Sequence, residues 1–304
     1  MQTRTRVQTI WQPHSSGLTI PNGTHSDFSS SSSETYLQIK EKAKSVEALY
    51  RDSDVPLPRN CDLSKLISDA KILSDAWFLN NKEVLTIGLL FRVLHLNRIA
   101  EAILPLRTVP DRAKYLASLT SGNLNLFQRH RSLAKNILWE LELWSSLREK
   151  FPDASLSEPD ILVRVDKSTV GIACKKLYSE KHLQNVLSEA VSQVESHCDV
   201  GIVAVNLDEL VPPNTFLRRP SLEITEQSIT DINNRFLVSH DRHFRKYLAS
   251  GRLIAALVST AVVAHIPGNG PAWNNIRRAS IWTIPGLPVE KEKTLRIFYS
   301  KMMN

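Results

Sequence analysis

The chain has few glycines, few cysteines and no long apolar run, and each shortage argues against a class of protein. Its 10 glycines form neither the P-loop motif nor the GxGxxG motif, so the usual phosphate-holding loops of nucleotide-binding proteins are missing. Its 3 cysteines lack metal-ligand spacing and cannot all pair within one chain, which favours a reducing, cytoplasmic location. The longest apolar stretch, Leu253 to Ala264, is too short to span a bilayer, and no secretory apolar region opens the sequence. We therefore expect no association with a membrane.

What the chain does have is bulk and positive charge. Its 304 residues, 42% of them hydrophobic, are enough for two domains and a sizeable core. The formal net charge is +7, and the isoelectric point is about 9.3. Such a balance suits a polyanionic partner, and nucleic acid, DNA above all, is the partner we expect.

Composition and periodicity divide the chain into three regions. Residues 1–34 are rich in Ser, Thr, Pro, Gly and Gln and predict a disordered arm, because they cannot bury enough apolar surface to order themselves. Residues 35–125 space their apolar side chains as helices do and predict an all-helical domain, a candidate surface for a protein partner or a second copy of the chain. Its helices are expected over Tyr36–Tyr50, Asp62–Leu79, Lys82–Leu94 and Asp111–Leu119, with Asp62, Asn81 and Asp111 as caps.

Residues 126–304 alternate helical and β-rich segments. The alternation predicts an α/β domain in which a central mixed sheet is flanked by helices. Helices are expected over Ser132–Phe151, Glu180–Ser196 and Ile229–Leu248, and strands over Asp160–Val165, Thr169–Cys174, Val200–Asn206, Leu253–Ala264 and Ser280–Ile284. The segment Leu253–Ala264 is compatible with one strand or with a pair.

The first of these helices carries a glutamate on its apolar side. Ile137, Leu141, Trp144 and Leu147 recur at helical spacing. At about 100° per residue, Glu140 falls within this apolar side, whereas Glu142 falls nearly opposite. A glutamate facing a core is costly unless it is paired or bound to something, so Glu140 is either a functional residue or the partner of a surface cation.

Two short strands carry a carboxylate and a lysine. Pro159-Asp160 opens one strand, and Lys175 comes near the end of the next, after small and apolar residues. A lysine is rarely placed at the inner end of a buried strand without a role, although it can also reach solvent along its own aliphatic chain. Lys176 alternates to the other face and is expected to be such a solvated lysine.

This order of helix, strands, lysine, helix and strand resembles the core of the PD-(D/E)xK nuclease superfamily. The resemblance implies a restriction-endonuclease-like core behind the helical domain, with carboxylates that hold Mg²⁺ beside a phosphodiester. Asp160 would bind the metal and Lys175 would assist the attacking water. The family's first helix carries a glutamate that Glu140 matches. One position departs from the pattern, because Ala173 stands where the family has the acid two residues before the lysine.

Two residues are candidates for the missing acid. Some restriction enzymes of the superfamily carry it on the following helix, about 14 residues after the lysine, and Glu189 stands at that position relative to Lys175. The helical wheel points Glu189 away from the centre of the buried face, and this argues against it. Glu140 is the other candidate.

The resemblance and the basic charge lead to three hypotheses. The first is a Mg²⁺-dependent endonuclease in nucleic-acid defence or repair, with Glu140, Asp160, Lys175 and Glu189 as its site and Asp160 and Glu189 as metal ligands. The second is a nuclease-like module that has lost catalysis and kept DNA binding. The third is a scaffold that binds proteins through its helical domain. Arg242, Arg245 and Lys246 are the expected phosphate contacts, although a solvated helix face explains them equally well.

Overall fold

Helices and strands alternate along most of the chain in the computed structural model, which describes residues 11–13, 19–21, 24–32, 35–81, 83–213, 215–267 and 273–303. Much of the arm predicted to be disordered, residues 1–34, lies outside these ranges. Its described parts are the strands β1 (Trp11–Pro13), β2 (Thr19–Pro21) and β3 (Thr24–Ser32). β3 pairs with the edge of the main sheet and so differs from the prediction, because backbone pairing at a sheet edge does not need apolar side chains.

Helices make up most of the first half of the chain and cover the sheet in the second half. The nine α-helices of the described residues are α1 (Tyr36–Arg51), α2 (Asp62–Phe78), α3 (Ile87–Ile103), α4 (Arg112–Thr120), α5 (Leu133–Arg148), α6 (Leu183–Glu195), α7 (Leu222–Ser239), α8 (Asp241–Ala249) and α9 (Val289–Met303). None of the helices within the described ranges is long and apolar enough to cross a membrane.

Two helices are capped by residues other than those that the sequence pattern predicts. α2 begins at the predicted Asp62, but its cap is Cys61, whose sulfur accepts a hydrogen bond from the backbone N–H of Ser64. The helix expected over Lys82–Leu94 begins at Ile87, because the Thr86 hydroxyl caps it there. Lys82 itself lies outside the described residues.

The single basic helix expected over Ile229–Leu248 is two helices. α7 ends at Ser239, and α8 begins at Asp241. The backbone of His240 leaves the helical region with φ −116° and ψ 15°, and its N–H bonds to carbonyls of the last turn of α7. The apolar spacing continues across this break, which is why periodicity alone merged the two helices.

One mixed sheet of eight described strands forms the centre of the second half of the chain. Its other strands are β4 (Ser155–Ser157), β5 (Asp160–Val165), β6 (Ser168–Lys176), β7 (Val200–Asn206), β8 (Phe216–Arg218), β9 (Ala255–His265) and β10 (Trp273–Trp282). The order is β3-β10-β9-β7-β6-β5-β4, with β8 beside β9. β4, β5 and β6 form an antiparallel meander, and α6 then crosses over to β7, which is parallel to β6. The α/β prediction is confirmed at this level.

The predicted strands agree best where apolar residues are continuous. β5 and β7 have the predicted bounds, and β6 is longer than predicted at both ends. The segment Leu253–Ala264 holds one strand, β9, rather than a pair. β10 begins well before the expected Ser280, because its polar first half is paired on both sides, to β9 and to β3.

Apolar side chains cover both faces of the sheet. On one face α1 to α5 and α9 share a core with the strands, which includes Ile39, Trp144, Ile161 and Phe298. On the other face α6, α7 and α8 pack on the strands through side chains such as Leu187, Val203 and Phe244. Burying each such side chain stabilises the fold by about 1.5–3 kcal/mol.

Two glycines, one in β6 and one in β7, let Pro159 and the C-terminal end of α6 pack closely on the sheet. A Cβ at Gly171 would lie 2.6 Å from Sγ of Cys198 and 3.0 Å from Cγ of Pro159, and one at Gly201 would collide with Val194. These contacts hold Pro159 and the C-terminal end of α6 over the same part of the sheet. The polar side chains that follow Pro159 and those near the end of α6 are therefore brought together.

Candidate active site

Asp160 and Lys175 lie on adjacent antiparallel strands at the same end of the hairpin. Asp160 is the first residue of β5, and the next residue, Ile161, pairs with Ile172, so Asp160 lies level with Ala173. Successive side chains of a strand alternate between faces, so Lys175 lies on the same face of β6 as Ala173. The hairpin that the sequence predicts between these residues is present, and it places the carboxylate and the lysine side by side.

The Asp160 carboxylate is held by two donors. Its Oδ2 accepts a hydrogen bond of 2.6 Å from the backbone N–H of Cys174, and its Oδ1 accepts one of 3.2 Å from Nε2 of Gln193. Burial raises the pKa of Asp160, while the N–H of Cys174, the charge of Lys175 and the Gln193 amide all act in the opposite direction. The donors fix the orientation of a carboxylate that is partly withdrawn from water.

Gln193 of α6 links the lysine to the carboxylate, and sequence reasoning missed it. Lys175 Nζ donates a hydrogen bond of 2.7 Å to Oε1 of Gln193. The Nε2 group of the same amide donates to Asp160, to Oε2 of Glu158 at 3.2 Å and to the backbone carbonyl of Pro159. The sequence contained one indication that Gln193 belongs to the site, because it follows Glu189 by one helical turn and stands beside the buried Val194.

Glu140 reaches the same place from α5. It is partly buried and makes no hydrogen bond or ion pair with any described residue. Burial raises the pKa of Glu140 to about 8, and the charge of Asp160 adds to the effect, whereas Lys114 and Lys175 oppose it. The interactions of Glu140 with Asp160 and Lys175 place all three side chains in one electrostatic neighbourhood.

Helix α4 also borders this site. Tyr115 is buried, and its pKa is raised to about 12 by burial first and then by the charges of Glu140, Asp111, Asp160 and Glu158. The preceding Lys114 lowers the pKa of Glu140. The helical part of the chain therefore contributes side chains to the site at the start of β5.

Glu189 is not brought into this neighbourhood. It lies on the exposed side of α6 and makes no hydrogen bond or ion pair with the described residues, while Gln193 one turn later contacts Asp160. Ala173 is fully buried beneath α6. The structure thus places Glu140, Asp160 and Lys175 together and leaves Glu189 outside.

The oxygen atoms present would suit a hard cation. Glu140 and Asp160 are partly buried carboxylates, and the charge of Asp160 raises the pKa of Glu140. A cation bound to both would offset the cost of burying their negative charges. Mg²⁺ is commonly held by one or two carboxylates together with waters and phosphate oxygens. Within the described ranges, no group of three or more His, Cys, Asp and Glu side chains is arranged to hold a metal.

The predicted phosphate contacts lie on the outer side of α8. Arg242, Arg245 and Lys246 are exposed. Arg245 donates to both oxygens of Asp241 at 3.0 Å and lies over the ring of Trp282. α8 packs against α6 through apolar residues that include Phe244. The basic side chains are therefore on the face of the sheet that carries Lys175.

A second charged cluster lies on the other flank of α5 and contradicts two sequence predictions. Glu142, expected opposite the apolar side, is only 2% exposed, and both of its oxygens bond to Arg98. Lys176, expected to be solvated, is 3% exposed and donates a hydrogen bond of 2.6 Å to Asn206. The helical wheel failed because α5 is covered on more than one side, by α3 and α4 as well as by the sheet.

Of the four residues predicted to carry chemistry, the structure brings together Glu140, Asp160 and Lys175, and it adds Gln193 to them. Hydrogen bonds join the β5–β6 hairpin to α6, and the charge of Asp160 acts on Glu140 of α5. No protein-family model, curated protein or solved structure matches this chain.

Proposed function

We propose that the chain is a metal-dependent nuclease that hydrolyses phosphodiester bonds of nucleic acid, in defence or repair, and that it belongs with the PD-(D/E)xK enzymes. The observation that carries the proposal is the link from Lys175 through Gln193 to Asp160, with Glu140 beside it. The helix, the antiparallel meander, the crossover helix and the parallel strand that hold these residues are the elements such a core requires.

Each side chain has a distinct part in the proposed reaction. Asp160 and Glu140 would hold Mg²⁺, which when bound neutralises charge on the phosphate. Lys175 donates to Gln193 and keeps further N–H groups with which it can orient water or a phosphate oxygen. Because burial raises the pKa of Glu140 to about 8, Glu140 would release a proton when it binds the cation near neutral pH. Hydrolysis adds the water oxygen to phosphorus, breaks one P–O ester bond and leaves a proton on the departing sugar oxygen.

A cleavage assay tests the proposal on the full chain. With Mg²⁺ present we expect the parent protein to cut DNA and EDTA to stop the reaction. Asp160→Asn and Lys175→Ala should each lower the rate by about 100-fold or more, the usual scale for losing such a group. Lys181→Ala is the matched control, because Lys181 is an exposed lysine just before α6, and this variant should cut at the parent rate.

The outcomes separate the competing functions. Absence of cleavage of single- and double-stranded DNA and of RNA would contradict the nuclease. Salt-dependent DNA binding without cleavage would instead favour the module that has lost catalysis, with Ala173 as the cause. Neither cleavage nor binding would favour the protein-binding scaffold.

A variant of Glu189 tests the missing acid. Because Glu189 is exposed and apart from the other side chains, we expect Glu189→Ala to cut at the parent rate. A loss of cleavage would identify Glu189 as a metal ligand, and Ala173→Glu should then restore part of the rate. Calorimetric titration with Mg²⁺ gives a second readout, since Asp160→Asn should weaken the binding of the ion whether or not cleavage is seen.

A further inference from the structure

Three aromatic rings meet where β8, β9 and β10 pack against α3. The ring centroid of Phe91 lies 5.8 Å from that of Phe216 and 5.2 Å from that of Trp273, and the last two are 5.4 Å apart. Phe127 and His265 extend the group, at 5.6 Å from Phe91 and 4.9 Å from Trp273 respectively. Such spacings are typical of packed aromatic side chains. We call these five residues the aromatic group.

The register of the strands places most of the aromatic group on one face of the sheet. His265 of β9 pairs with Arg218 of β8 on one side and with Trp273 of β10 on the other. Val263, two residues before His265, pairs with Phe216. Cross-strand partners share a face, and so do residues two apart along a strand. Arg218, His265 and Trp273 therefore form a row across three strands, with Phe216 beside it.

The aromatic group is open to solvent although it is largely apolar. Phe216 is 41% exposed, whereas Phe91 is buried. The other three members are half-buried. Single exposed apolar side chains are common on protein surfaces, but a contiguous exposed group marks a binding site more often. We therefore asked what kind of partner this surface fits.

The chain segments that carry the aromatic group are basic. Residues 127–131, 215–219, 263–267 and 273–275 contain four arginines and two histidines and no Asp or Glu. Arg218 is exposed, and its side chain makes no hydrogen bond or ion pair with any described residue. Its guanidinium is therefore available to a partner on the same face as Phe216.

The acidic residues that flank β8 in the chain do not neutralise this charge at the surface. Glu209 lies 4.0 Å from Arg129, but the side chain of Glu209 is only 2% exposed. Glu223 lies in the first turn of α7, which packs on the opposite face of the sheet through side chains such as Ile229. The surface beside α3 thus favours a negatively charged partner.

Aromatic rings beside an available arginine fit single-stranded nucleic acid. Unpaired bases stack on aromatic side chains irrespective of sequence, and basic side chains bind the phosphates between them. In a duplex the bases are stacked on one another, so that only their edges and the phosphates are accessible. An acidic protein would use the arginines but would not need the rings.

The segment between the aromatic group and α5 leads towards the candidate active site. Arg129 donates a hydrogen bond of 2.9 Å to the backbone carbonyl of Val211. The backbone N–H of Ser132 donates one of 3.2 Å to the hydroxyl of Tyr178, which follows Lys175 by three residues. A single strand that follows this segment would pass from the aromatic group to the end of β6.

We propose that the aromatic group binds single-stranded nucleic acid, with bases stacked on Phe216 and Trp273 and a phosphate bound by Arg218. This inference rests on the proposed function, because it names the form of nucleic acid that reaches Asp160. The cations of α8 lie on the opposite face of the sheet and can bind phosphates of either form. The preference for single strands therefore comes from the aromatic group.

Fluorescence anisotropy on the full chain tests this surface. The probes are labelled single strands of DNA and of RNA of about 16 nucleotides, and the DNA duplex, with EDTA present so that no probe is cut. We expect at least one single strand to bind about tenfold or more tightly than the duplex. Phe216→Ala should weaken single-strand binding by about fivefold or more and leave duplex binding unchanged. Phe78→Ala is the matched control, because Phe78 is an exposed phenylalanine at the end of α2, and it should bind both forms as the parent does.

Arg218→Ala gives a second readout if Phe216→Ala does not fold. Loss of one phosphate contact should reduce the slope of log K against log salt by about 0.7 for a single strand. Arg59→Ala, which changes an exposed arginine just before α2, should keep the parent slope. Equal binding by the parent, Phe216→Ala and Arg218→Ala would overturn the proposal, and so would equal affinity for single strand and duplex. Absence of binding to every probe would also overturn it and would assign the surface to a protein partner.

Cleavage distinguishes a failure of this inference from a failure of the nuclease function. A chain that binds single strands through Phe216 but cuts no nucleic acid with Mg²⁺ would contradict the nuclease alone. A chain that cuts DNA, binds both forms equally and loses nothing in Phe216→Ala would contradict the single-strand surface alone.

Discussion

Helix α5 separates two charged sites, each with one of its glutamates, and the two glutamates have opposite electrostatic environments. Glu140 faces the start of β5 among other carboxylates, and burial and the charge of Asp160 raise its pKa to about 8. Glu142, two residues later, faces Arg98 and Arg277 and accepts hydrogen bonds through both oxygens. On one flank the glutamate has no hydrogen-bond partner, and on the other it is paired with two arginines.

The difference shows that burial alone does not decide what a carboxylate contributes. Glu142 is the more buried of the two, and it is paired with Arg98 and Arg277. Glu140 keeps some exposure, but no described residue donates a hydrogen bond to it. A carboxylate that is paired in the fold holds the structure together, whereas an unpaired one is free to bind a cation or to transfer a proton.

The largest expected effect is the loss of the paired carboxylate. Glu142→Ala leaves Arg98 and Arg277 buried without their shared partner, so the free energy of unfolding should fall by about 3–5 kcal/mol. Urea denaturation measures this loss. Glu149→Ala, which removes an exposed carboxylate at the end of the same helix, should change stability by less than about 0.5 kcal/mol. A loss below about 1 kcal/mol for Glu142→Ala would contradict the structural role given to the pair.

Replacing the unpaired carboxylate, Glu140, should stabilise the protein, and the gain in stability should depend on pH. The pKa of Glu140 is raised from 4.5 to about 8, so the folded protein binds a proton that the unfolded chain has lost between these pH values. Stability therefore falls as pH rises through this window, by up to about 1.4 kcal/mol per pH unit. Over the whole window the loss would be at most about 5 kcal/mol, and the partial exposure of Glu140 reduces it. Glu140→Gln, which cannot ionise, should therefore be the more stable protein by about 3 kcal/mol above pH 8.

Unfolding curves from pH 4 to pH 9 check this comparison. Below pH 4.5 the Glu140→Gln variant and the parent should be equally stable, because Glu140 is then protonated in both the folded and the unfolded chain. A difference that stays constant with pH would show that the effect comes from packing and not from ionisation. If Mg²⁺ binds to Glu140 and Asp160, adding it at pH 8 should reduce the difference in stability between the parent and Glu140→Gln.

Variants of basic residues on the two faces of the sheet show which face binds nucleic acid. Replacing Arg242, Arg245 and Lys246 together by alanine should weaken DNA binding about tenfold and reduce the salt dependence of the binding constant by roughly three phosphate contacts. Arg277→Gln should leave DNA affinity unchanged, since Arg277 is buried against Glu142 of α5, on the other face of the sheet. Equal affinity of the triple variant and the parent at every salt concentration would remove α8 from the interface.

The smallest expected effect concerns the link within the site. Gln193→Ala removes the hydrogen bonds to Lys175 and Asp160 and should cost about 1 kcal/mol of stability. Because the Gln193 amide lowers the pKa of Asp160, the acid limb of any pH–rate profile should move to higher pH in this variant. Glu189→Ala serves as its control one turn away, and a profile that moves equally in both variants would deny Gln193 a positioning role.

The sequence predicts the elements of the sheet better than the environments of their charged side chains. β5 and β7 could be read from continuous apolar residues, and the pairing of Asp160 with the lysine strand follows from a short turn. Glu142 and Lys176 could not be placed, because their partners come from α3, β7 and β10 and have no local signature. Gln193 was missed for a related reason, since an amide on a helix gives no signal of the strand end that it bridges.

The contacts of the two sites span different lengths of the chain, so the two sites form at different stages of folding. The contacts of the Asp160 site join neighbours, with Cys174 bonded to Asp160 across 14 residues and Lys175 to Gln193 across 18. Arg98 bonds to Glu142 and Asp208 across 44 and 110 residues. Contacts distant along the chain must close longer loops and are slower to form. The Asp160 hairpin can therefore assemble while the chain is still incomplete, whereas the Arg98 cluster requires the helices and the whole sheet to have docked.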